Sequence, residues 1–315
     1  MVLKKLSIVF YNLENFFDTY DDPNTFDEDY TPKGIMHWIK RRYFSKAAKI
    51  GKAIKKTGYK ETGKPPSLIG VAEVENRRVL NDLIHSRSLK KEKYDFVHYE
   101  SADQRGMDVA MIYNKTDFEL LESKVFPVEL FNHKGEKYRT RDILYCRGKL
   151  EKHPLHIFVN HWPSRREGDL ESDQKRKLAA QILREQIDYI KYEEDNPYIL
   201  VMGDFNALPG DANIKYVMQN DFFNPAGSLS QKKSGTVYHH KKALMYDQML
   251  FSYNFKSPGS PLRFKYFSIY KPGFLTTWKG KFKNMPFRTY IGLKYQNGYS
   301  DHFPVYSILE TRDSG

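Results

Sequence analysis

Cysteine is almost absent. Cys146 is the only one in 315 residues, so no internal disulfide braces the chain. That fits a reducing compartment, the cytoplasm first, and leaves export open. Long apolar runs are missing too: no stretch approaches the roughly 20 residues of a membrane span. Met1 to Phe10 is too short for a signal-peptide core with its cleavage site, and no stable membrane insertion is expected. Pro-, Gly- or Ser-rich spacers, low-complexity tracts and internal repeats are all lacking, which makes one domain over residues 1–315 the expectation. Acids are missing from one long region. Phe251 to Ser300 holds nine Lys or Arg and no Asp or Glu, within a chain of formal charge +12. Such a balance predicts polyanionic partners.

What is present is a series of buried-strand patterns, each running into polar residues. Tyr198 to Met202 is apolar and branched and stops at Gly203-Asp204-Phe205-Asn206. On an extended backbone Asp204 and Asn206 share one face. The pair suits activating a water and holding an oxyanion, or hydrogen-bonding a turning backbone. Leu6 to Tyr11 alternates like a strand and delivers Asn12 and Glu14 to one face in the same way. Ser67 to Ala72 delivers Glu73, and Glu75-Asn76 follow before a helix carrying Val79, Leu80, Leu83 and Ile84. An acid where a strand breaks suits a hard cation or the helix start.

Further along, Leu155 to Val159 leads into Asn160-His161-Trp162-Pro163-Ser164-Arg165-Arg166, a cluster suited to an anion. Arg105 and Arg141, each in a polar loop, are candidate phosphate ligands or partners of nearby acids. Asp247 sits in a strand from Tyr246 to Phe251. Asp301 and His302 are adjacent at the entry to a last strand and should serve different partners. The acidic run Asp18 to Asp29 lacks the spacing of a calcium loop and reads as a solvated loop. Arg41 to Lys56 reads as an amphipathic helix with Ala47, Ile50 and Ile54 inward and its lysines outward. The repeating strand, helix, strand order predicts a layered α/β protein. In the acid-free segment, aromatics interleave with cations, which suits a nucleic-acid surface or a satellite core with a solvated outside.

Asn12-Leu13-Glu14, Ala72-Glu73, Asn160-His161, Gly203-Asp204-Phe205-Asn206, Tyr246-Asp247 and Ser300-Asp301-His302-Phe303-Pro304 occur in that order over nearly the whole chain. Together they resemble the endonuclease/exonuclease/phosphatase superfamily, which includes deoxyribonuclease I, exonuclease III, neutral sphingomyelinases and inositol polyphosphate 5-phosphatases. The resemblance implies a four-layer α/β sandwich, two packed mixed β-sheets flanked by α-helices. It puts a Mg²⁺ or Mn²⁺ ligand at Glu73, with Asn12, Glu14 and Asp301 beside it. It implies Asp204 as the base or water-aligning residue, Asn206 as a phosphate contact, His302 at the phosphate with Asp247 orienting it, and His161 near the scissile bond. Asn160, Arg105, Arg141, Arg165 and Arg166 are the expected substrate contacts. Ala72-Glu73-Val74-Glu75 and Asn160-His161-Trp162-Pro163 depart from the exonuclease III-like pattern and turn the expectation away from abasic-site repair. The expected activity is a metal-dependent nuclease acting on nucleic acid. Its alternatives are a sphingomyelinase-like or inositol-phosphate phosphatase acting on another phosphoester, and an inert nucleic-acid-binding module.

Overall fold

A computed structural model describes residues 3–131, 137–164 and 169–312. The chain first lays down β1 (Leu3–Phe16), β2 (Leu68–Val74), β3 (Tyr94–His98) and β4 (Asp108–Asn114). It then builds a second sheet from β5 (Phe118–Phe126), β6 (Ile143–Leu150), β7 (His153–His161), β8 (Ile199–Asp204), β9 (Phe222–Phe223) and β10 (Asp247–Ser252). Finally β11 (Leu262–Ile269) and β12 (Val305–Arg312) return to the first sheet. The strand orders are β11-β12-β1-β2-β4-β3 and β9-β10-β8-β7-β6-β5. Each sheet is mixed: β1 runs parallel to β2 and β7 parallel to β8, while the other neighbouring strands are antiparallel.

Both faces of the central strands are covered, which is why they read as continuous apolar runs rather than alternating ones. Leu200 and Met202 of β8 belong to the core between the sheets, whereas Ile199 and Val201 point the other way. There they meet Leu183 and Ile187 of α3 (Asp169–Glu193) in a second core. The first sheet is covered on its outer side by α1 (Lys40–Lys56) and α2 (Arg77–Ile84), whose Ala47, Ile50, Leu80 and Leu83 are fully packed. Four layers result. The sheets approach so closely that a Cβ on Gly70 would stand 2.9 Å from the Met202 sulfur and would displace that side chain. Gly203 is required outright: its Cβ would lie 2.4 Å from the Asn160 carbonyl oxygen on the neighbouring strand.

Two expectations change. Asp18 and Asp27 are buried rather than solvated, Asp18 accepting from Asn76 and Arg78 and Asp27 from the Asp22 amide. Lys46 of α1 also lies inside, because it falls on the same stripe as Tyr43 and Ile50. In the acid-free segment most aromatics are structural: Phe255, Phe267, Tyr290 and Tyr299 are buried, and Phe264, Tyr270, Phe274, Phe287 and Tyr295 pack on the core. Tyr253, Tyr266 and Trp278 are exposed, Trp278 the most at 72%, in a loop with exposed Lys279, Lys281 and Lys283.

Candidate active site

Strand register assembles the site. In the second sheet Asp204 stands directly beside His161 on the parallel side and beside Asp247 on the antiparallel side. In the first sheet Asn12 is paired with Ala72, so Glu73 emerges next to it. The two sheet edges then meet: the Asn12 amide donates to Asp204 Oδ2 at 3.0 Å and to Glu73 Oε1 at 3.2 Å. One asparagine thus links the acids of both sheets.

Simple alternation does not aim these side chains. β1 is irregular between Asn12 and Phe16 and β2 between Ala72 and Val74, and Glu14, Asn15 and Glu73 have φ of 52°, 49° and 60°. Left-handed residues at bulges re-aim their side chains. Glu73 is turned to accept from the Asn15 backbone N–H at 2.7 Å, facing Asn12 and His161. Glu14 is turned away from Asn12, so the expected shared face is not formed. Its Oε1 accepts from Arg288 Nε at 3.2 Å and its Oε2 from the Thr289 amide at 2.6 Å. Arg288 donates on to Asp301 Oδ2 at 2.9 Å, so a guanidinium joins Glu14 to Asp301. Asn206 is left-handed as well, with φ of 46°. Its amide donates to the Trp162 carbonyl at 2.9 Å, while its backbone N–H donates to Asp204 Oδ1 at 3.0 Å. Asp204 therefore does two things: one oxygen fixes the turn, and the other faces Asn12, His161 and His302.

His302 Nδ1 lies 2.7 Å from Asp247 Oδ2, and its Nε2 lies 3.8 Å from Asp204 Oδ2. Burial disfavours the charged ring, but the Asp247 charge and hydrogen bond outweigh it and raise the His302 pKa well above its usual range. The ring is an imidazolium. His161 is the opposite case. Burial, reinforced by the Arg141 charge, holds it well below its usual range, so it is neutral. Arg141 lies 3.3 Å from its Nε2, and Nδ1 is buried without a hydrogen-bond partner. Asp204 is pushed up, first by burial and further by Asp247, against the pull of His302.

The expected substrate contacts divide. Asn160 is fully buried, donating to the Met202 carbonyl and accepting from the Trp162 indole, so it braces the β7 end rather than facing an opening. Arg141 is buried also, paired with Asp103 at 3.0 Å, and it positions His161. Arg105 is half-buried and reaches Asn15 Oδ1 at 3.4 Å, close to Glu73. Arg165 and Arg166 lie outside the described residues. Sequence reasoning missed Arg288 and Lys46. Lys46 donates to the Glu14 carbonyl and to Thr289 Oγ1 and stands 4.0 Å from the Glu14 carboxylate. Its place on an apolar helix stripe was the available signal. Arg288 carried none, being one cation of many in its segment.

The donor set suits a hard divalent cation. Donor atoms of Asp204, Asp247 and His302 lie within 4.8 Å of one another, but His302 Nδ1 is held by Asp247. Glu73 and Asp204, joined through the Asn12 amide, offer the better oxygen ligands, with no thiolate beside them. The raised pKa of Asp204 marks a carboxylate short of positive charge, which a cation would supply.

Two mixed sheets with flanking helices and a carboxylate, amide and histidine cluster at one edge define a layered phosphoester hydrolase. The chain belongs to the endonuclease/exonuclease/phosphatase family, whose model matches residues 7–311. The family is generally dependent on a divalent metal. Solved structures with the same fold include an endonuclease/exonuclease/phosphatase family protein from Bacteroides thetaiotaomicron, 15% identical, TM-score 0.60, covering 100% of this chain and 98% of that one. A D. rerio TDP2 humanised by 14 mutations is 16% identical, TM-score 0.58, covering 98% and 99%. A mannosyl-6-phosphatase from B. thetaiotaomicron is 14% identical, TM-score 0.58, covering 96% and 99%. No curated protein sequence matches this chain.

Proposed function

We propose that this protein is a Mg²⁺- or Mn²⁺-dependent phosphodiesterase that cleaves nucleic acid by in-line attack of water. The observation that carries the reading is the chain Asp247, His302, Asp204, which sets an imidazolium and a carboxylate side by side. His302 presents a cationic N–H to a phosphoryl oxygen as negative charge develops. Asp204 aligns and deprotonates the attacking water, and Asn206 is the adjacent phosphate contact. Neutral His161, its ring fixed by Arg141, flanks the same carboxylate. Glu73 and Asp204 would hold the cation, with the Asn12 side-chain N–H groups bracing the two carboxylates, while Asp301 and Glu14, expected beside it, are both engaged by Arg288. Bound there, a divalent cation supplies Lewis-acid stabilisation to a phosphate oxygen.

A polynucleotide substrate is supported by the exposed Trp278 and lysines 279, 281 and 283, on a loop next to the Arg288–Asp301 pair. Because the site takes residues from both sheets, we treat residues 1–315 as one catalytic unit. No described helix is long and apolar enough to cross a membrane. The test is a panel of plasmid DNA, single-stranded DNA, RNA, sphingomyelin, inositol phosphates and mannose 6-phosphate, each with Mg²⁺, Mn²⁺ or chelator. Nucleic-acid cleavage that chelator abolishes is expected. Turnover confined to the small esters or the lipid would replace the nuclease reading with a phosphatase or sphingomyelinase one.

A further inference from the structure

Beside the acid cluster lies a cleft of about 200 Å³ that shares Arg288 and Asp301 with it. One wall is the antiparallel pair Val237–His239 and Lys242–Leu244. The other is the loop from Leu275 to Phe287, closed on itself by backbone bonds from Thr277 to Met285, Asn284 to Thr277 and Phe287 to Leu275. Tyr238, Phe282, Met285, Pro286 and Ile291 make the cleft apolar, and Lys241, Lys281 and Arg288 place cations around it. The volume falls below the roughly 300–1,000 Å³ of sites that enclose a whole small ligand. It suits one ring system, with an anion at the cationic rim. Asp301, in its lining, precedes His302, so a group seated here is next to the phosphate chemistry.

We propose that this cleft takes a single unstacked nucleobase next to the scissile phosphate, with Lys281 or Lys241 on the neighbouring phosphate. The proposal rests on the nuclease reading and narrows it. A base still paired and stacked in a duplex does not reach into a cleft, so single strands and frayed ends are the preferred substrates.

The experiment uses the full chain, a single-stranded oligonucleotide, and a set in which one position at a time carries a stable abasic analogue. Loss of the base at one position flanking the cut is expected to raise KM roughly tenfold, within the range of one lost base stack. The same strand in a blunt duplex should be cut more slowly. In Phe282→Ala, and separately in Met285→Ala, KM should already be raised and base removal should add little. If the parent enzyme cuts all the abasic strands equally well, the cleft assignment falls and the nuclease reading stands. A base dependence that persists undiminished in both variants places the base elsewhere and also overturns it. Failure to cut any oligonucleotide, with turnover of a small ester, removes both readings. Where one variant folds poorly the other still tests the location, and a parent enzyme indifferent to base removal overturns the assignment without either.

Discussion

Asp247 Oδ2 sits 2.7 Å from Nδ1 of His302, inside the protein, and this contact keeps the ring charged. A His with its pKa raised on folding contributes stability that is fully present below its unfolded value, about 6.5. That stability is lost as pH rises through the folded pKa. Asp247→Asn removes the stabilising charge, so the His302 ring should titrate at lower pH and the alkaline limb of the pH-rate profile should move toward neutrality. Imidazole NMR shifts of His302 followed against pH check this directly. An unmoved titration would remove Asp247 as the cause.

Turnover tests the same contact. His302→Ala and Asp204→Asn should each lower kcat by about 10² or more, the scale of lost acid-base or electrostatic assistance. Because Asp247 acts through His302, Asp247→Asn combined with His302→Ala should be little worse than His302→Ala alone. Multiplicative losses in the double variant would contradict the coupling.

The strands carrying these residues were legible because their apolar runs are covered on both faces and their ends carry rare polar types. The order Glu73, His161, Asp204, Asp247, His302 was legible too, as a motif series. Aim was not. Glu14, Glu73 and Asn206 occupy left-handed backbone that no two-residue periodicity anticipates, and this sends Glu14 to Arg288 rather than toward Asn12. The Glu14–Arg288 contact joins residues 274 positions apart, and a cation within a basic run gives no local sign of such a partner.

Metal affinity should respond to Glu73. Glu73→Gln keeps the shape but loses a charged oxygen ligand for a hard cation, so Mn²⁺ binding measured by calorimetry should weaken while the melting temperature without metal changes little. Unchanged Mn²⁺ affinity would remove Glu73 from the metal site.

Lys46 is fully enclosed between the Glu14 carbonyl, Thr289 and the Glu14 carboxylate. Breaking a buried ion pair from one side costs about 3–5 kcal/mol. Lys46→Met should fall at the lower end, because Arg288 and the Thr289 amide still serve Glu14. Urea denaturation gives the value. Adding Glu14→Gln should cost less than the sum of the two single changes, since the carboxylate left without its lysine is then gone.

Salt dependence separates a polynucleotide substrate from a small one. Lys279, Lys281 and Lys283 are exposed beside Trp278, with the Lys279 ammonium 4.3 Å from the centre of its ring. If they meet phosphates of a duplex, log affinity should fall with log salt by about 0.9 per phosphate neutralised. Changing all three to Gln should flatten that slope by up to about 2.7. A small phosphoester reaches only the acid cluster, and its turnover should not register Lys279 or Lys283. Thermal melting comes first, because Phe282 and Phe287 belong to the same closed loop and a folding defect would imitate weakened binding. With the fold intact, an unchanged slope and an unchanged rate on DNA would make these lysines solvated surface. The support that this loop gives to a polynucleotide substrate would then be gone.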